Sequence, residues 1–148
     1  MYDKILIPTD GSATSERAVD HGLALAKKMS AEVTFLHVVE NPLSAGYATP
    51  ETLPYSAQLY QDLKASATEI LDRAVEKAQG LGVSAQVRLV ENREPAAAIA
   101  EAGEEHDLTV MGTHGRRGFN RWMFGSVAEG ALRQGSKPFL LIRSEAED

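Results

Sequence analysis

The chain has 148 residues, 43% of them hydrophobic and 24% charged, which is the size and balance of one soluble globular domain with its own core. Its formal net charge of −6 sets the overall field against nucleic acid and anionic membrane, and the absence of cysteine removes disulfides, thiolate chemistry and cysteine zinc sites. No apolar run approaches the ~18 residues of a bilayer span, and the opening MYDKILIPTDG lacks a signal-peptide pattern, so a cytoplasmic protein with no membrane or nucleic-acid partner is expected.

Short β-like runs alternate with amphipathic helical patterns. KILIP (Lys4–Pro8), closed by the turn material Thr9-Asp10-Gly11, predicts a first strand. Ser12 is placed as an N-cap, after which Ala18, Gly22, Leu25, Ala26 and Met29 keep helical spacing to about Ser30. EVTFLHVV (Glu32–Val39), dense in β-branched and apolar residues, predicts the second strand. Residues 40–55, ENPLSAGYATPETLPY, carry three prolines and no periodicity, and are expected to form a flap or a mobile excursion.

Leu59, Leu63, Ala67, Ile70, Leu71, Ala74 and Ala78 mark a long second helix ended by GLG at 80–82. VSAQVRLV (Val83–Val90) alternates Val83, Ala85, Val87 and Leu89 on one face, as a strand near a sheet edge does. Pro95 opens an alanine-rich third helix. DLTVM (Asp107–Met111) predicts the fourth strand, with Asp107 in a structural role. Ser126 to about Gln134 predicts the fourth helix, with Val127, Ala128, Ala131 and Leu132 as its buried stripe. KPFLLI (Lys137–Ile142) predicts the fifth strand, and an acidic stretch over 144–148 follows.

With no repeat and no domain boundary, one α/β domain over 1–148 is the economical architecture. It is an open twisted five-stranded parallel sheet, Rossmann-like with order 3-2-1-4-5, and helices on both faces. Ligands in such sheets bind beyond the C-terminal strand ends, at the switch point where the strand order reverses. PTDGS after the first strand and GTHG after the fourth would face one crevice there.

GTHGRRGFNRWMFGSV (Gly112–Val127) carries the sharpest chemistry. Gly112 and Gly115 stand where the chain leaves a strand; without Cβ they permit positive φ and close approach of a ligand to the backbone. Gly125-Ser126-Val127 opens a helix whose N–H groups and dipole suit an anion, and Ser126 either caps that helix or donates its hydroxyl to a phosphate oxygen. Arg116, Arg117, Arg121, Arg133 and Lys137 face the single acid Glu129 between Gly112 and Pro138, a positive local field in which Arg116 is the best phosphate partner. No lysine follows Gly125, so this is not a Walker A loop, and G-x-G-x-x-G is absent. Asp10 is expected both to close an Asx turn and to touch a ligand. Trp122 and Phe124 read as packing or interface residues, and His114 as a loop hydrogen-bonder. His21, His37 and His106 lack metal-ligand spacing.

The spacing G-x2-G-x9-G-[ST] at Gly112, Gly115, Gly125 and Ser126 resembles the ATP-binding signature of the universal stress protein family. KILIPTDGS at 4–12, LHVVE at 36–40 and DLTVMGTHG at 107–115 resemble that family as well, so the likeness covers nearly the whole chain. The resemblance implies adenine held near Pro8, Thr9, Asp10 and Val38, with Met111 and Gly112 on the sugar side. It implies phosphates at Gly115, Arg116, Gly125, Ser126 and Val127, with Mg²⁺ or Mn²⁺ bound through phosphate oxygens. It also implies homodimers through the last strand, Pro138–Ile142, whose hydrophobic edge would be sticky if exposed. The leading functional expectation is a dimeric, ATP-dependent stress-response or signalling protein. A slow ATPase or autophosphorylating enzyme, with Ser126 one acceptor candidate and no catalytic residue assigned, is the second. A partner-binding module without a nucleotide role is the third.

Overall fold

Strand and helix alternate through the residues that the computed structural model describes, 1–42, 49–114 and 125–144. The elements are β1 (Lys4–Pro8), α1 (Ala13–Met29), β2 (Glu32–Val39), α2 (Leu53–Leu81), β3 (Ala85–Glu91), α3 (Pro95–Gly103), β4 (Leu108–Gly112), α4 (Ser126–Gln134) and β5 (Phe139–Ile142). All five strands are parallel, in the expected order β3-β2-β1-β4-β5. Alternation along the strands sorts the core into two layers. Ile5, Ile7, Val33, Phe35 and Val110 pack with Val19 and Leu23 of α1 and Leu71 and Ala74 of α2. Leu6, Leu36 and Met111 pack with Ile99 and Ala102 of α3 and Ala128 and Ala131 of α4 on the other face. The chain changes direction across the sheet between β1 and β4, and that junction is the switch point.

Ser12 caps α1 as expected, its side chain accepting the Ser15 N–H, and Ser30 closes the helix in the left-handed region. The second helix departs from expectation. It begins at Leu53, inside the stretch read as irregular, with Pro54 in the first turn where proline removes no helical hydrogen bond. Thr49 and Thr52 brace this start: the Thr49 N–H donates to Thr52 Oγ1 at 2.8 Å and the Leu53 N–H donates to the Thr49 carbonyl at 2.8 Å. Residues 43–48 of the expected flap lie outside the described residues, as do 145–148 of the acidic stretch.

Burial in α2 starts only at Ala67, and Leu59, expected in the buried stripe, is 49% exposed. The cause is length. A helix of 29 residues extends about 43 Å, whereas the 8 residues of β2 rise about 26 Å. A crossover helix runs back against its strands, so the surplus overhangs their C-terminal ends. Glu91, the last residue of β3, accepts from Tyr60 Oη at 2.5 Å and pairs with Lys64 Nζ at 3.3 Å. The turns before Tyr60 therefore stand beyond the sheet.

Two other apolar patterns are also less buried than their spacing suggests. β3 is an edge strand, with a neighbour on one side only, and Val87 and Leu89 are 48% and 38% exposed although Phe35, the register partner of Val87, is fully buried. In α4 the buried residues are Ala128 and Ala131, while Val127 and Leu132 are exposed. Each lies one residue, roughly 100° of helical turn, off that narrow stripe. β4 and β5 start one and two residues later than predicted, so Gly112 is the last strand residue rather than the first of the loop. No helix among the described residues is long and apolar enough to cross a membrane.

Asp107 has the structural role expected. Its Oδ2 accepts the backbone N–H groups of Asp3 at 2.9 Å and Lys4 at 3.0 Å, tying the start of β4 to the start of β1. The bonds from Lys4 and then Asp3 hold its carboxyl below the ordinary aspartate value. A depressed folded value means stability that is present above about pH 4 and is lost as pH falls through the folded value. Asp107→Ala is therefore expected to lower the urea midpoint at neutral pH, with the gap to wild type narrowing below about pH 4. A gap unchanged with pH would mean that the ionised carboxylate is not what holds the two strands.

Candidate functional site

The C-terminal ends of β1 and β4 are neighbours, and the starts of both α1 and α4 meet the end of β4, at Gly112 and Thr113. At the β1 end, Thr9 is 4% exposed, Pro8 is buried and Asp10 is half-buried. Thr9 continues the ladder, its N–H donating to the Leu36 carbonyl at 2.9 Å. Its hydroxyl meets Ser15 Oγ at 3.1 Å and accepts the Gly11 N–H at 3.3 Å. Asp10 Oδ1 accepts the Ser12 N–H at 2.9 Å, the Asx turn that its residue type suggested. Gly11 follows at φ 79°, in the left-handed region where glycine carries no steric penalty.

At the β4 end, Thr113 is 4% exposed and tied on three sides. Its N–H donates to the Ile142 carbonyl at 2.9 Å and its carbonyl accepts the Gly125 N–H at 2.7 Å. Thr113 Oγ1 lies 3.0 Å from His114 Nδ1, which makes His114 a loop hydrogen-bonder. The bond to Gly125 joins the two ends of the 115–124 segment, so the start of α4 sits directly on the end of β4.

Both described glycines of the motif are required, though not for positive φ. A Cβ at Gly112 would lie 2.7 Å from Thr14 Cγ2, so the first turn of α1 packs against bare backbone. A Cβ at Gly125 would lie 2.9 Å from the Thr113 carbonyl oxygen. Gly125 itself is the N-cap of α4, in extended conformation with no side-chain cap. Ser126 is thus the first helical residue rather than the cap. Ser12 caps α1 and Glu94 caps α3, each accepting an N–H of its own first turn. Gly125 offers the first-turn N–H groups of α4 no side-chain acceptor, as Thr52 offers none to α2, and free N–H groups at a helix start favour an anion.

The remaining expected residues fall as follows. Val38 is half-buried against the second core layer. The Met111 side chain is 6% exposed and packs within that layer. Ser126 and Val127 are exposed on the first turn of α4. Gly115, Arg116, Arg117, Arg121, Trp122 and Phe124 lie outside the described residues. The positive field read around the motif loses two members. Arg133 sits in the last turn of α4 and pairs with Glu129. Lys137 acts on Asp107, at the opposite end of the sheet. Sequence reasoning passed over Thr113 and the link from His37 to the Thr9 carbonyl (2.7 Å), because strand register brings residue 37 beside residue 9 and no local pattern announces it.

Comparison with known proteins agrees with this geometry. The sequence matches the universal stress protein family over residues 1–143. A universal stress protein of Methanocaldococcus jannaschii is 33% identical over 150 residues, covering 100% of this chain and 86% of the relative. A solved member of the family from Burkholderia pseudomallei is 32% identical, covers 97% of each chain and superposes with a TM-score of 0.79. A universal stress protein solved in complex with cAMP, an adenine nucleotide, is 25% identical, covers 96% of this chain and 97% of that one, and has a TM-score of 0.65.

Proposed function

This chain belongs to the universal stress protein family, and we propose that it is an ATP-binding member acting in the cytoplasm as a dimeric, nucleotide-dependent signalling protein. The observation that carries the reading is the uncapped start of α4 seated on the end of β4, beside the Asp10 turn at the switch point. The adenosine lies along Pro8, Thr9, Asp10 and Val38, with Met111 and Gly112 beside the sugar. The phosphates meet Gly115, Arg116, Gly125, Ser126 and Val127. Mg²⁺ or Mn²⁺ would be bound through phosphate oxygens, as the family resemblance implies. The dimer forms through Pro138–Ile142, which holds β5, an edge strand whose Leu140 is 39% exposed.

Binding is favoured over turnover by how the acids are engaged. Asp10 is held in its turn, and Glu129 of the first turn of α4 pairs with Arg133. Neither is placed to activate a water at the phosphate end.

The test is chromatography and mass spectrometry of small molecules released from the denatured protein, beside a calorimetric titration with ATP and Mg²⁺. Co-purified ATP and a saturable titration are expected. Released ADP with steady hydrolysis would replace the binding reading with a slow ATPase. No nucleotide and no heat would leave a partner-binding module.

A further inference from the structure

One strand away from the Asp10 turn stands a side chain that grips it. His37 of β2 is half-buried, and its Nδ1 lies 2.7 Å from the carbonyl oxygen of Thr9. A carbonyl can only accept, so the ring nitrogen facing it carries the hydrogen. The preceding residue, Leu36, accepts the Thr9 N–H at 2.9 Å. Consecutive residues of β2 therefore hold both main-chain groups of Thr9, and Ser15 of α1 holds its hydroxyl.

We infer that His37 is a positioning residue of the nucleotide site: its Nδ1–H fixes the plane of the Thr9–Asp10 peptide and so the direction in which Asp10 meets the nucleotide. The inference rests on the nucleotide reading above. A peptide unit is planar and trans, so a held Thr9 carbonyl fixes the Asp10 N–H on the opposite side of the C–N bond and the Asp10 Cα on the same side. The Asx bond to Ser12 then fixes the carboxylate from its other end. Between these anchors lies Gly11, at φ 79°, the residue of the turn with the widest conformational freedom. Loss of the clamp lets the peptide rotate about that pivot. A ligand group then meets an ensemble of Asp10 orientations rather than one, and binding weakens by the cost of ordering them.

A histidine that merely fills space and a histidine that donates at Nδ1 differ in what replaces them. The side-chain amide nitrogen of asparagine falls where Nδ1 stands, that of glutamine one bond further out, and leucine has no donor. ATP titrations are expected to show His37→Leu and His37→Gln weakened about tenfold, the scale of one lost hydrogen bond, and His37→Asn within about twofold of wild type. Nitrogen-15 spectra of the nucleotide-free wild type are expected to place the ring hydrogen on Nδ1.

Wild-type affinity in His37→Leu would overturn the clamp while leaving the nucleotide reading intact. So would an Asn variant as weak as the Leu variant at equal melting temperature, or a ring hydrogen found on Nε2. Failure of the wild-type protein to bind any adenine nucleotide would overturn both.

Discussion

Replacing Gly125 with valine is expected to weaken ATP binding by about a hundredfold or more, roughly 2.7 kcal/mol, in a protein that still folds. The added Cβ would lie 2.9 Å from the Thr113 carbonyl oxygen and 3.4 Å from His114 Cα. Both are backbone, so no rotamer relieves the contact and either the end of β4 or the start of α4 must move. Moving α4 breaks the Gly125 N–H bond to Thr113 and turns the first-turn donors away from the crevice. A branched side chain also restricts the N-cap backbone. Gly80→Ala is the control, since nothing lies within 4 Å of a Cβ there, and it is expected to bind as wild type does. Calorimetric titration with ATP and Mg²⁺, beside a thermal melt of each variant, reads the effect. A folded valine variant with wild-type affinity would show that the phosphates do not sit at the start of α4.

The second large effect is in the core. Phe35 has 0% exposure and heads the fully buried side chains by volume. It lies on β2 in the layer covered by α1 and α2, near Val33, Leu71 and Ala74. Phe35→Ala removes the transfer energy of the ring and leaves a cavity between sheet and helices, a loss of about 3–5 kcal/mol. Domains of this kind have roughly 5–15 kcal/mol in total, so the variant is expected to unfold at a far lower urea concentration with an unchanged slope. A loss below about 1.5 kcal/mol would mean that α1 and α2 close over the gap, and that this layer is less rigid than its burial implies.

Much of the fold was legible in the sequence because its signals are local. The apolar runs at 4–8 and 32–39, the Ser12 cap, Pro95 and the Gly82 stop each act within a turn or two of themselves. What local pattern could not supply is reach. Leu59 keeps the right spacing, yet burial depends on how far the partner element extends. Val127 and Leu132 flank a stripe set by two alanines, and nothing in the helix's own sequence says that the stripe is that narrow.

The site divides in the same way. Residue types announced Asp10 and the glycines, but the reason for Gly112 and Gly125 is contact with Thr14 and Thr113, which no spacing encodes. The grip of His37 on Thr9 depends on the β1–β2 register and is invisible until the strands are paired.

The long overhang of α2 separates two demands that a small domain usually has to meet with the same residues. The half of the helix from Ala67 onward is committed to the core, and substitutions there are constrained by the cost of cavities and overpacking. The turns before Tyr60 rise past the strand ends, with Tyr55 78% exposed and Leu53 and Leu59 each 49% exposed. Selection can rewrite that half for new surface chemistry at little expense to folding. Diversity of recognition around an unvarying sheet is then a property of helix length, open to a lineage without any change in topology.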